Sequence, residues 1–395
     1  EVTGATISGT SEHGISNAAK MTVSGAAITG SGEGKNGIQN TGTLTGNDCR
    51  ISNSKNHGIY NEGVLSGADV AIQNAADNGI YNAGGTVDAL AGLTISGTKG
   101  QGVNNTGTFV ASDAAISGTG KNGVYNNGGT VRLTGLSVTA PAEHCVSNDN
   151  GGSASLSNAT LTGSGKGSNC IQNRADMTVQ NVTVQNSGNH GVYNEASFVS
   201  RGRLSISGTA VNGLYNNGGT VTLASADITA AGDHGLNNAG TLTAEKLTVS
   251  AAASNGVQNT GDMTVTGSAV ISGSGKHGLY NGDTLRATNI TLTGAGDLLA
   301  SNSGEMMVRG LTMNGAAHKA LYNSGYAELY SVTVDGGGYQ QSRSPISDDN
   351  NGGVLDLTDA TMPEGQRNRP AQPRQVCRQR HQRDHRPHGK LRHLP

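Results

Sequence analysis

Large aromatic residues are nearly absent from this chain: it has no tryptophan and two phenylalanines in 395 residues. Globular cores are usually built on big aromatics and leucine, so one thick core is excluded by supply. Charge is sparse too, at 14% Asp, Glu, Lys and Arg with a net charge of −2. No apolar run approaches the roughly 20 residues that a membrane helix needs. A starting methionine and a secretory leader pattern are both missing. Glu1 to Thr10 already reads as strand and turn, so the natural start, with any address label, is expected upstream. What is abundant is glycine, 62 residues of it, together with Asn, Thr, Ser, Ala, Val and Ile. Such a mixture can mean disorder, because low hydrophobicity does not offset chain entropy. Disorder would leave the apolar residues unpatterned, whereas here they recur at a fixed spacing.

The recurring unit is Gly, an aliphatic residue, a polar or Tyr position, then Asn. It appears as HGISN, NGIQN, HGIYN, NGIYN, QGVNN, NGVYN, HCVSN, NCIQN, HGVYN, NGLYN, HGLNN, NGVQN, HGLYN, LLASN and KALYN. These end at Asn17, Asn40, Asn61, Asn82, Asn105, Asn126, Asn148, Asn173, Asn194, Asn216, Asn238, Asn259, Asn281, Asn302 and Asn323. The gaps run from 21 to 25 residues. Two further short strands follow in each unit, one like DMTV at Asp262 to Val265, the other centred on residues such as Ile7, Ile28, Ile95 and Ile271. Asn-Gly, Gly-Gly and Ser-Gly punctuate them, and the runs are too short for helices. Gly42, Gly63, Gly84, Gly107 and Gly128, two residues past the asparagines, suit turns of positive φ.

Self-similarity at this period means a solenoid. The expected fold is all-β: a single-stranded right-handed parallel β-helix over residues 1–362, with about sixteen rungs of ~22 residues and three short strands per rung. Each strand pairs with its equivalent one rung away, about 4.8 Å along the axis, giving a rod of roughly 75 Å. Parallel crossovers favour the right hand. A propeller blade would need about 40 residues.

Period-two alternation assigns the faces. The aliphatic row (Ile15, Ile38, Ile59, Ile80, Val103 and onward) points inward. The asparagines two residues on also point inward, and identical stacked side chains form a hydrogen-bonded ladder that satisfies the corner backbone. The Gly row and the residue before each Asn are assigned outward. Tyrosine fills the latter at Tyr60, Tyr81, Tyr125, Tyr193, Tyr215, Tyr280 and Tyr322. The adjacent-rung pairs Tyr60/Tyr81 and Tyr193/Tyr215, beside a shallow Gly trough, are candidate ligand-binding residues for a sugar chain. Their structural role would be cross-strand stacking.

The residue before the Gly alternates: His13, Asn36, His57, Asn78, Gln101, Asn122, His144, Asn169, His190, Asn212, His234, Asn255, His277. Histidines two rungs apart, about 9.6 Å, are too distant to share one zinc ion. A His–Asn hydrogen-bonded ladder is expected instead, with no metal and no cofactor. Cys145 and Cys170 replace the row Gly on consecutive rungs and should stack side by side. Parallel stacking points both Cβ atoms the same way, so a disulfide is possible by separation but not expected. Cysteine usage does not settle the redox compartment.

The pattern fades after Val334. One more irregular rung is expected through Ile346, Val354 and Met362. From Gln366 the composition turns to Arg, His and Pro, with nine basic residues against one acidic. Residues 363–395 are expected to be a disordered basic tail, or a stretch read out of frame. They lack the aromatic interleaving of a nucleic-acid binder, and no nucleic-acid partner is expected.

The HGIYN and NGVYN rungs resemble the parallel β-helix repeats of the pectin-lyase-like superfamily, and the passenger solenoids of bacterial adhesins and autotransporters. The resemblance covers residues 1 to about 362. Enzymes of that superfamily act on acidic polysaccharides, which implies clustered carboxylates. Here the acids Asp113, Asp227, Glu245, Asp262 and Asp283 are scattered, without matching positions on neighbouring rungs. Asp348 and Asp349 alone adjoin one another in the irregular rung, where they could touch a cation. The expected function is therefore a non-catalytic rod, structural or adhesive, secreted or on a bacterial surface, with host or bacterial surface glycans as partners. Membrane association is expected only through flanking regions. The alternative is a carbohydrate-active β-helix that binds or cleaves a polysaccharide along the outer Gly/Tyr trough.

Overall fold

The computed structural model describes residues 1–164, 167–335, 346–348 and 353–361. They lie within one compact unit, Glu1–Pro363, which is a right-handed parallel β-solenoid. The expected tail, Met362, Asp349 and Cys377 lie outside the described residues.

Each rung begins with a marker strand of three to five residues, such as Ile59–Asn61. Sixteen of these stack into one sheet, each paired in parallel with the next. In the first six rungs a second and a third strand follow, such as Val64–Ala68 and Ala71–Gln73. From Ser153–Thr162 onward the second and third strands run together as one kinked strand. Both belong to a single 24-stranded sheet. Among the described residues there is no helix, hence none long and apolar enough to cross a membrane.

Stacking like on like builds the core. The marker row Ile59, Ile80, Val103, Val124 is 0–1% exposed, and its members are direct register partners. The second-strand row carries both phenylalanines, Phe109 and Phe198, fully buried. Phe109 pairs with Val87 and Val131, and Ala154 comes next. Small residues close to a large one keep the cross-section constant along the axis.

The corners obey different rules. Gly84 and Gly128 have φ of 78° and 81°, but Gly42, Gly63 and Gly107 do not adopt positive φ. They are glycine because of close approach. A Cβ on Gly63 would lie 2.0 Å from the carbonyl oxygen of Gly42 on the rung before.

Positive φ is concentrated in two other rows. One closes the second strand with Asp48, Asp69, Asp113, Asn158 and Asn181; the other follows the third strand with Asn53, Asn74, Gly97, Gly208 and Gly273. Glycine, Asn and Asp are the residues that visit this region at low cost. Ala230 and Ala251 occupy the second row with φ of 51° and 53°. Ala230→Gly is expected to stabilise the coil by about 1 kcal/mol, the left-handed penalty less the entropy cost of glycine. Urea unfolding followed by circular dichroism checks it, and a lowered midpoint contradicts it.

Candidate ligand-binding surface

The asparagine row is continuous. From Asn17 to Asn323, each Nδ2 donates to the Oδ1 of the next rung's Asn at 2.7–3.0 Å. From Asn40 onward every member is 0% exposed. Each amide also serves the corner backbone. Asn194 Nδ2, for example, donates to Ala196 O at 2.8 Å. Both polar ends of every side chain are consumed within the wall, so the row has nothing left to offer a ligand.

The His/Asn row is a second ladder of a different kind. From His13 to Asn255, His144 aside, each side chain accepts the backbone N–H of its counterpart one rung on. Asn36 N donates to His13 Nδ1 at 2.9 Å and His57 N to Asn36 Oδ1 at 3.2 Å. Asn78 N donates to His57 Nδ1 at 3.3 Å, Gln101 N to Asn78 Oδ1 at 2.9 Å and Asn122 N to Gln101 Oε1 at 2.7 Å. The same holds for Asn212 on His190 and Asn255 on His234, both at 3.3 Å. At His57, His190 and His234 burial favours the neutral imidazole, and an accepting Nδ1 leaves its proton on Nε2. What the alternating residues share is an acceptor near the backbone, and Gln101 meets that need as well. At His144 the pattern breaks, and Nδ1 faces the carbonyl of Asn169 at 3.0 Å. Among the described residues, no three His, Cys, Asp or Glu side chains gather as a metal site.

The Gly row points inward, which corrects the outer trough. A Cβ on Gly58 would sit 2.3 Å from Ile72 Cγ2 and 2.6 Å from Gly79 O. Residues that replace glycine in this row (Cys145, Cys170, Leu299 and Ala320) are at most 1% exposed. The reason is the corner. Strand alternation holds from the aliphatic residue to the Asn, but the chain bends at the Gly, so period two cannot be extended through it.

The tyrosines do face outward, half-buried. Tyr60 and Tyr81 meet edge-to-face with ring centroids 5.4 Å apart, and Tyr193 and Tyr215 at 5.5 Å. A histidine completes each group: His57 stacks on Tyr60 at 5.9 Å and His190 on Tyr193 at 5.7 Å. The hydroxyls of Tyr60, Tyr193 and Tyr215 are engaged as well. Tyr60 donates to Glu62 at 2.9 Å, and burial followed by that carboxylate pushes its pKa up to about 12. Tyr193 donates to Glu195 at 2.6 Å, and Arg174 holds the same carboxylate at 2.7 Å. Burial alone would raise the pKa of Glu195, but its bonds to Tyr193 and Arg174 bring it below the ordinary value. The paired rings are brought together, but without the trough beside them.

A cleft of about 460 Å³ opens elsewhere, on the outer face of the long strands near the C-terminal end of the coil. Thr264, Thr266, Arg286, Thr288, Met307, Arg309, Glu328 and Tyr330 line it. Register explains their convergence: Thr288, Arg309 and Tyr330 are partners on consecutive rungs, as are Arg286, Met307 and Glu328. The Arg309 guanidinium lies 5.1 Å from the centre of the Tyr330 ring. Tyr330 donates a short hydrogen bond to Glu328. Arg286 reaches Glu305 at 3.6 Å. Thr288 Oγ1 is turned into the wall, 3.0 Å from the carbonyls of Thr266 and Gly267.

Glu328 is also the register partner of Asp356. The scattered-acid reading thus misses two outward carboxylates on neighbouring rungs. The interval between them is 28 residues, not about 22, so counting along the repeat does not align them. A second hollow of about 450 Å³ lies over Gly208, Thr209, Ala210, Ala230 and Ala231. It is lined by small residues with no charged group.

No family model and no curated protein matches the chain. Among solved structures, the catalytic domain of a GH87 alpha-1,3-glucanase in complex with nigerose aligns at 11% identity and a TM-score of 0.20, covering 87% of this chain and 58% of that one. An alanine variant of that domain with nigerose gives 10% identity, a TM-score of 0.23 and the same coverages. Another alanine variant with tetrasaccharides gives 10% identity and 0.23, covering 90% of this chain and 63% of that one. This chain therefore spans about three fifths of the length of those domains. Likeness at this level carries nothing about chemistry.

Proposed function

We propose that this chain is a non-catalytic β-helix rod, secreted or displayed on a cell surface, that binds glycans through the Arg286/Arg309/Tyr330 cleft. The observation that carries the reading is the cleft itself. It joins an aromatic ring, two guanidinium groups and threonines in a concavity of about 460 Å³, the size range of small-ligand sites. A ring face suits the apolar side of a sugar. Guanidinium groups suit carboxylate or sulfate substituents, which they bind bidentately. The remainder of the coil is uniform, and its ladders are self-satisfied. This supports a scaffold role for the other rungs.

A glycan array probed with the full chain tests the idea. Arg309→Ala with Tyr330→Ala is expected to weaken binding at least tenfold, roughly the loss of one good charged contact and one stacking contact. Tyr193→Ala with Tyr215→Ala is expected to leave it unchanged. Loss in the second variant with retention in the first moves the site to the tyrosine row. No binding to any glycan overturns the reading. Fractionation of cells that make the protein checks its placement.

The register pair Glu328/Asp356 favours a second reading, glycoside cleavage. Neighbouring parallel strands lie about 4.8 Å apart, close to the roughly 5 Å between carboxylates of retaining glycosidases. Release of reducing ends from a bound polysaccharide, abolished in Glu328→Gln while binding persists, would replace the non-catalytic proposal.

A further inference from the structure

We infer that Cys145 and Cys170 are a covalent modification site, an inter-rung disulfide formed by exchange with a small-molecule disulfide as the coil closes.

Three observations carry this. The two residues immediately precede register partners, since Val146 pairs with Ile171 on the next rung. Adjacent strands lie about 4.8 Å apart, within the Cα range that a disulfide spans. Both side chains sit in the inward Gly row, 0% and 1% exposed. Their sulfurs approach to 2.8 Å, well inside the roughly 3.5–4.0 Å at which non-bonded heavy atoms rest. Parallel strands alone would leave the Cβ vectors side by side, as the sequence suggests; the structure turns the two sulfurs toward each other. Cys49, by contrast, is buried and donates to the carbonyls of Val23 and Asn47, each at 3.4 Å.

The location is informative. The 25-position spacing of the two cysteines matches the longest Asn-to-Asn interval in the repeat. The strand before Cys170 ends at Thr162, eight residues short of it. A bond here closes the longest interval of the repeat. It also anchors the wall behind Arg174, which bridges Asp149 at 3.5 Å and Glu195 at 2.7 Å on the outer face.

The chemistry balances as ordinary exchange. The Cys145 thiolate attacks one sulfur of R–S–S–R, and one RS⁻ leaves. The Cys170 thiolate then attacks the Cys145 sulfur of the mixed disulfide, and the second RS⁻ leaves. Two cysteine thiols are oxidised, the small disulfide is reduced to two thiols, and the two cysteine protons end on them. Burial and the neighbouring sulfur push the pKa of Cys170 up. The thiolate is the reactive form, so exchange is slow once the rungs have closed and the bond, once made, is shielded from reductants.

The test uses the full chain refolded from denaturant with glutathione disulfide. It is then denatured without reductant and treated with a maleimide. Peptide mapping is expected to find Cys49 labelled, and Cys145 and Cys170 unlabelled, joined and lighter by two hydrogens. Labels on both Cys145 and Cys170 would overturn the proposal. A second measurement needs no variant: the urea midpoint of the oxidised chain is expected to exceed that of the same chain reduced. Cys145→Ala with Cys170→Ala is expected to show no such difference. Equal midpoints for the two wild-type forms would remove the stapling role.

Discussion

Asn194→Asp should unfold the middle of the coil, and Asn194→Ala should weaken it by about 3–5 kcal/mol, as several buried polar groups lose partners at about 1–3 kcal/mol each. The wild-type Nδ2 donates to Asn216 Oδ1 at 2.9 Å and to Ala196 O at 2.8 Å, while Oδ1 accepts from Asn173 at 2.8 Å. Alanine leaves Asn216 Oδ1 without its donor, while Asn173 Nδ2 keeps only Ser197 O and Ala196 O keeps only the Thr220 N–H. No water can take their place, because the site is 0% exposed. Aspartate is worse, although it is the same size. It turns the donor into a second acceptor, aimed at the oxygens of Asn216 and Ala196, and it buries a charge with no cation beside it. Denaturant melts of the two variants, with limited proteolysis to locate the break, measure the effect. Equal stability of Asn194→Asp and wild type at neutral pH would refute the ladder as the source of corner stability.

Stability should also fall as pH is lowered from about 6.5 towards about 4. Burial pushes the pKa values of His57, His144, His190, His234 and His277 down, that of His190 to about 4. Asp77 near His57, Asp233 near His234 and Asp297 near His277, each at 3.6 Å, oppose the shift without reversing it. The sign follows from proton counting. In that window the unfolded chain holds imidazolium where the folded chain holds imidazole, so the unfolded state binds more protons and acid favours it. The contribution is complete above 6.5 and is lost on the way down.

Geometry gives the same direction: a protonated Nδ1 would face the backbone N–H of Asn78, Asn212 or Asn255 that it now accepts. The ceiling is about 1.4 kcal/mol per pH unit for each histidine. Half-buried positions fall below it because solvent screens them. Urea midpoints between pH 8 and 4 read the slope. His190→Gln, which copies the acceptor role of Gln101, is expected to flatten that slope. An unchanged slope in the variant, or a midpoint independent of pH, contradicts the assignment.

The candidate site was less legible in the sequence than the coil was. The second-strand row Arg286, Met307, Glu328 and its neighbour Thr288, Arg309, Tyr330 lie where the repeat is already irregular, and Asp356 joins them across an interval that no period would align. The paired tyrosines were visible because they occur within the marker unit. The trough beside them was an error of extending alternation past a bend.

By itself, the sequence determined the rung length, the strands and the inward aliphatic and asparagine rows. Each follows from local periodicity, and a residue that recurs every 22 or so positions must stack on its own kind. Only the tertiary structure decided which way the Gly row points, which nitrogen of His57, His190 and His234 lacks a proton and which outward side chains converge. Those depend on corners and on the neighbouring rung. There the environment of a residue is set by atoms about 22 positions away along the chain and one strand spacing, about 4.8 Å, away in space.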